Sequence, residues 1–175
     1  MKKLILLLVI ACVSVSCDSL FELLELKVNN DLTENVEVSV PQTFGKTDVV
    51  DFTRTIDLSS GDLGEYIGKI TAIEITAFNY KVIQFTGNTN GTISSGVLKF
   101  DDVQVSTITN LNISQAANKE TVFQITDPTI ISKLENTLLN NNSTVISLAG
   151  NASSEDGSMD FKIEVNISLI ATIKE

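Results

Sequence analysis

The residues that could do chemistry in this chain are few, and one type is missing. There is no histidine among the 175 residues. Ser-His-Asp and Cys-His catalysis both need an imidazole base, so both are excluded. A His-ligated zinc or iron site is excluded on the same ground. Carboxylate, lysine, tyrosine and oxygen-ligated metal chemistry remain. Two acidic pairs stand out, Asp101 with Asp102 and Glu155 with Asp156. A glycosidase needs two acids converging in a cleft, with their pKa values pushed apart. Both pairs instead fall between expected strands, where acids make solvated turns. The stretches "FDDVQ" (100–104) and "EDGSMD" (155–160) make Asp101, Asp102, Asp156 and Asp160 weak candidates for calcium. Neither stretch has EF-hand spacing. Ser-Lys catalysis needs a buried lysine beside a serine, and the lysines here alternate with apolar residues on outer strand faces or sit in loops. No catalytic residue and no cofactor is expected.

Sugar recognition commonly uses exposed aromatic platforms, and the chain has no tryptophan. Most phenylalanines fall among apolar strand residues and read as core. Tyr80, next to Asn79, reads as a residue of a turn between two strands and as a possible contact residue.

Period-two alternation dominates the elements that must carry these residues. In "FKIEVNISLIATI" (161–173), Phe161, Ile163, Val165, Ile167, Leu169, Ala171 and Ile173 share one face. That pattern predicts a long, half-buried strand. "TVISLAG" (144–150) reads as its hairpin partner across the Asp-Gly turn of "EDGS" (155–158). Val36, Val38 and Val40 predict another strand, and Ile73, Ile75 and Ala77 a further one. "KVIQFTG" (81–87) and "TISSGVLKF" (92–100) flank a turn at Asn90-Gly91. "DDVQVST" (101–107) and "TVFQIT" (121–126) add two short strands. One helix is predicted over about 127–140: Asp127 is a good N-cap, Pro128 suits the first helical position, and Ile130, Ile131, Leu134, Leu138 and Leu139 line one face. "SSGDLGEYIGKI" (59–70) reads as a loop with at most one helical turn. The expectation is a mainly β fold: an antiparallel β-sandwich, or a barrel-like relative, of about eight strands with one capping helix. The helix is expected to plug an end or cover a sheet edge.

The N-terminus carries different information. Lys2 and Lys3 precede an apolar run, Leu4 to Val15, that ends at Ser16 and Cys17. A basic start, a short apolar core and a small exit residue make a secretory signal. The run is shorter than the roughly 20 residues that cross a bilayer. "SVSC" (14–17) resembles the lipobox of bacterial lipoproteins, with Ser14 where the pattern prefers Leu or Val. The resemblance implies cleavage before Cys17 and acyl chains on that cysteine. "VIAC" (9–12) matches the same pattern around Cys12. A cut there would leave a core near the short end of the usual range of about 7–15 residues, so Cys17 is favoured. Cleavage after Ser16 by general signal peptidase is the alternative. "DSL" (18–20) resembles a short O-glycan acceptor motif of some Bacteroidota, which would place a sugar on Ser19.

The domain plan that follows is a signal peptide over 1–16, a lipidated tether over 17–28 that may run into a first strand, and one β domain over 29–175. Removal of 1–16 leaves ten basic residues against 22 acidic ones, a net charge of −12. Such a surface repels nucleic acid and anionic lipid. With Arg54 as the single arginine, no guanidinium cluster can clamp phosphate. The function expected is that of a cell-envelope lipoprotein, held on the outer membrane in preference to the inner one by its lipid. It would bind another envelope protein as a non-enzymatic accessory module. A carrier or sensor of a small apolar or sugar ligand, and a hydrolase using carboxylates alone, are the alternatives.

Overall fold

Strands of alternating polarity must bury one face each, and here they do so by packing two sheets together. The computed structural model describes residues 25–174. In chain order these form β1 (Glu25–Val40), β2 (Asp48–Asp57), β3 (Ile70–Gly87), β4 (Thr92–Phe100), β5 (Val103–Asn112), α1 (Ile113–Asn118), β6 (Val122–Gln124), α2 (Pro128–Asn141), β7 (Ser143–Ser153) and β8 (Met159–Lys174). Short 3-10 turns at Leu58–Ser60 and Gly64–Tyr66 lie between β2 and β3. One sheet has the order β1-β8-β3-β6 and the other β2-β7-β4-β5. Every pairing is antiparallel. The chain changes sheet at every connection except β4 to β5, which gives the double Greek-key order of a jelly-roll sandwich.

The core lies between the sheets. All seven alternating residues of β8 from Phe161 to Ile173 are buried, and burying each is worth about 1.5–3 kcal/mol, less for Ala171. They face Ile146, Leu148 and Ala152 of β7, also buried. The rings of Phe78 in β3 and Phe100 in β4 meet edge to face at 4.9 Å, joining the two sheets.

The strand count agrees with the sequence, but the pairing differs in three places. The segments 144–150 and 161–173 are not a hairpin: β7 pairs with β2 and β4, while β8 pairs with β1 and β3. The Asp156-Gly157 segment is an arch between sheets, because β1 and β3 take both hydrogen-bonding edges of β8 and leave none for β7. The strands expected at 73–77 and 81–87 are one continuous strand, β3, with a bulge between Ile75 and Ala77. That bulge turns Ala77 outward and Phe78 inward. β2 answers to no expected strand. Val50 and Ile56 are buried and Phe52 half-buried, while Arg54, in phase with them, is exposed and breaks the apolar pattern.

α2 matches its prediction. The Asp127 carboxylate accepts from Thr129 N at 2.8 Å, and Asn142 ends the helix in the left-handed region at φ 56°. Leu134 and Leu138 are buried against the sandwich. Glu135 Oε1 accepts from Ile75 N at 2.9 Å, so the helix satisfies the backbone donor freed at the β3 bulge. α1 is a second, short helix that the sequence reading lacks. Asn112 caps it by accepting from Gln115 N at 2.8 Å.

Candidate functional site

The topology sorts the loops onto two ends. At one end lie the start of β1, the segment after β2, the β4–β5 turn and α2. At the other lie the loops 41–47, 88–91, 113–121 and 154–158. The predicted acids are divided between these ends. Asp101 and Asp102 form the β4–β5 turn near Glu25, whereas Glu155, Asp156 and Asp160 lie at the opposite end. The Asp101 carboxylate accepts from Thr144 Oγ1 at 2.9 Å and Val145 N at 3.1 Å, and its own N–H donates to Val145 O at 2.7 Å. It fastens a turn in the left-handed region, at φ 48°. Asp156 Oδ2 accepts from Asn90 Nδ2 at 3.2 Å. Among the described residues, no three metal-ligating side chains of the His, Cys, Asp or Glu type come together. Cys12, Cys17 and Ser19 lie outside the described residues.

Tyr80 is not in a turn. It is buried inside β3, stacked on Phe123 at 4.9 Å, and its hydroxyl lies 2.9 Å from Ser106 Oγ in β5. Burial raises its pKa above the ordinary tyrosine value, partly offset by the Ser106 bond. The alternation that should have shown this strand is interrupted by the bulge four residues earlier.

The end remote from Glu25 is built as a unit. Ser154, buried in the β7–β8 arch, is its hub. Thr43 N donates to Ser154 O at 3.0 Å, and Ser154 N donates to Thr43 Oγ1 at 2.9 Å. Asn88 Nδ2 donates to Ser154 Oγ at 3.0 Å, and Asn88 N donates to Ser158 O at 2.9 Å. Gln42 Nε2 donates to Glu155 O at 2.7 Å. Asn112 Nδ2 donates to Thr89 O at 3.0 Å, and Ile113 N donates to Gly91 O at 3.2 Å. All four loops are therefore cross-tied. Gly91 packs against Met159, whose sulfur would have to move to admit a Cβ.

From this tied base one turn projects. Lys46 N donates to Thr43 O at 3.0 Å, closing Thr43-Phe44-Gly45-Lys46. Phe44 and Gly45 have φ of 47° and 77°, so a bulky aromatic is held in the left-handed region, a conformation costing about 1–2 kcal/mol outside glycine. Its side chain is 78% exposed, and Val49 nearby in sequence is 71% exposed. The ring is thus both left-handed and solvent-facing, on a base whose loops are cross-tied. Phenylalanine among strand-rich sequence points to core, so residue type alone does not reveal it. The available sign was its polar setting, "QTFGKTD" (42–48), with glycine beside it.

The outer face of the β1-β8-β3-β6 sheet is polar. In register across it run Thr33, Asn166, Asn79 and Gln124. Thr33 Oγ1 donates to Asn166 Oδ1 at 2.8 Å, and Asn166 Nδ2 donates to Glu164 Oε1 at 3.0 Å. Glu164 pairs with Lys81 at 2.8 Å, and Glu37 with Lys162 at 2.9 Å. The Lys81 hydrogen bond holds the Glu164 carboxyl below the usual range, and Lys162 does the same for Glu37. Asn79, Gln124, Thr76, Thr126 and Ile131 line an open groove of about 290 Å³ between β3, β6 and α2.

No family model matches the chain, and no curated protein matches it. Among solved structures, it is similar to a decameric BFDV capsid protein, with 7% identity over 83% of this chain and 99% of that one, at a TM-score of 0.44. A likeness that loose says nothing of what this chain does.

Proposed function

We propose that the protein is a lipid-anchored module of the cell envelope, on the outer membrane in preference to the inner one, and that it binds another envelope protein without catalysing a reaction. The observation that carries this reading is Phe44, exposed and left-handed on a cross-tied loop platform. The position of that platform supports it. β1 starts at Glu25, eight residues after Cys17, and its 16 residues run toward the loops. At about 3.3 Å per residue that is roughly 50 Å. A lipid on Cys17 would hold the near end at the bilayer and present Phe44 away from it. Two or more acyl chains suffice for a stable anchor.

Two measurements test this. Intact-mass analysis of the mature N-terminus should find a diacylglyceryl-modified Cys17. An unmodified end, or a start at another residue, removes the anchor. Purification from detergent-solubilised membranes should recover a stoichiometric protein with the wild type and lose it with Phe44→Asn. Wild-type protein that comes out alone ends the binding reading.

A second reading is favoured by one observation. The groove beside Asn79 and Gln124 offers two amides and two threonine hydroxyls without a charge, which suits a polyhydroxylated ligand. Titration with an oligosaccharide panel should shift the Asn79 and Gln124 amide resonances. An unchanged spectrum across the panel disposes of it.

A further inference from the structure

We infer that the surface Phe44 docks on is a basic protein surface with an apolar socket. This rests on the reading of the loop end as a binding surface and adds the chemistry of the partner. The projecting turn carries exposed Phe44, and exposed Val49 follows at the start of β2. The charged residues of this loop end and the start of β2 are Asp48, Glu120, Glu155 and Asp156 against Lys46 and Lys119, an acidic balance. Glu155 is drawn to the turn by the Gln42 bond to its carbonyl. An aromatic anchor ringed by polar groups is the arrangement of a binding hot spot, in which the ring fills a pocket and the rim sets the partner's charge.

Three occupants compete for this surface, and charge decides among them. A second copy of the chain would bring the same acids to the same place, and like charges oppose that contact. An anionic bilayer is repelled for the same reason. It also lies at the other end of a domain whose first strand alone spans roughly 50 Å. A basic protein surface is attracted, and it supplies what the acidic rim lacks. Fixing four loops through Ser154 and Asn88 before binding leaves little ordering to be done on contact, which favours affinity.

The test uses the full-length protein in its own membranes, with a photoreactive benzophenone amino acid at position 44. Position 44 is 78% exposed, so the probe replaces no core contact. Lys46 carries the same probe in a second variant, and Asp102, at the opposite end, is the control. The expected result is one discrete protein adduct from positions 44 and 46 and none from 102. Its yield should fall at least tenfold in the double variant Glu155→Lys, Asp156→Lys, and fall again when ionic strength is raised from about 0.1 to 0.5 M, where the Debye length is roughly halved. Adduct formation that survives both charge reversal and salt overturns the basic partner while leaving the binding reading intact. A crosslink to a second copy or to lipid overturns the inference by naming the wrong occupant. Absence of any adduct from both positions overturns the inference and the binding reading together. The Cys17 mass measurement is independent of all three outcomes.

Discussion

Asp101 offers the sharpest separation of structural from chemical roles, because the sequence nominates it for calcium and the fold gives it another task. Asp101→Ala removes the acceptor for Thr144 Oγ1, and Thr144 is only 1% exposed. A buried donor left unmet costs about 1–3 kcal/mol. The Val145 N–H loses its bond to the carboxylate, worth roughly 0.5–1.5 kcal/mol. Alanine also tolerates the left-handed φ of 48° less well than aspartate, adding up to about 1 kcal/mol. The expected loss is about 3 kcal/mol in all, which for a domain of this size lowers Tm by roughly 6–12 °C. The assay is thermal and urea unfolding of the soluble domain, compared with Asp102→Ala, which should stay within about 0.5 kcal/mol. Removing both partners of the bond, in Asp101→Ala, Thr144→Val, should recover part of the loss, since an apolar pair strands no buried donor. Equal melting of the Asp101 and Asp102 variants would refute the reasoning. So would a calcium-dependent rise in wild-type Tm that vanishes with Asp101→Ala, because the carboxylate would then be a ligand.

Three further outcomes follow from the packing and the ion pairs. Gly150 and Gly96 face each other in register between β7 and β4, and a Cβ at Gly150 would lie 2.7 Å from Gly96 Cα; Gly150→Ala should cost about 1–3 kcal/mol in urea unfolding, and an unchanged midpoint would mean the strands can part freely. Glu164, Glu37 and Asp57 are all held below their ordinary values, by Lys81, Lys162 and the Ser59 backbone respectively. Depressed folded pKa values stabilise above the unfolded carboxylate range of about 4 and lose that contribution as pH falls through the folded values; stability measured between about pH 6 and 3 should therefore drop, and drop less in Glu164→Gln. Tyr80 has a raised pKa, so its contribution is present below about pH 10 and lost as pH rises through the folded value. Near-ultraviolet titration should show Tyr80 ionising only as the protein unfolds, and Tyr80→Phe should weaken that alkaline transition.

What the sequence makes legible is whatever depends on one segment alone. The alternation of β8 and the Asp127-Pro128 start of α2 are local patterns with local causes, and both elements form where the residues place them. Pairing is not local. The Asp-Gly of the 154–158 arch reads as a hairpin because turn chemistry does not encode which sheet the next strand joins. β2 escapes notice because Arg54, in phase with Val50 and Ile56 on an edge strand, puts a charge where the pattern calls for an apolar residue. Glu34 does the same in β1, between buried Leu32 and Val36, and charges so placed discourage edge-to-edge aggregation. They blur the apolar period in doing so. Tyr80 is misread because the bulge at 75–77, one of three register shifts along β3, changes the phase of the strand just before it. The loop platform is invisible for a further reason: Ser154, Thr43 and Asn88 are ordinary polar residues until three distant loops meet.

The pairing of β1 with β8, from Glu25 against Lys174 to Val40 against Met159, ties the first described residues to the last. That sheet cannot be finished until β8, Met159–Lys174, is free to pair. Such non-local closure slows folding into the range of milliseconds to seconds. Until β8 is in place, β1 and β3 keep open the edges it will fill, and those edges are exposed to wrong partners for as long as closure takes.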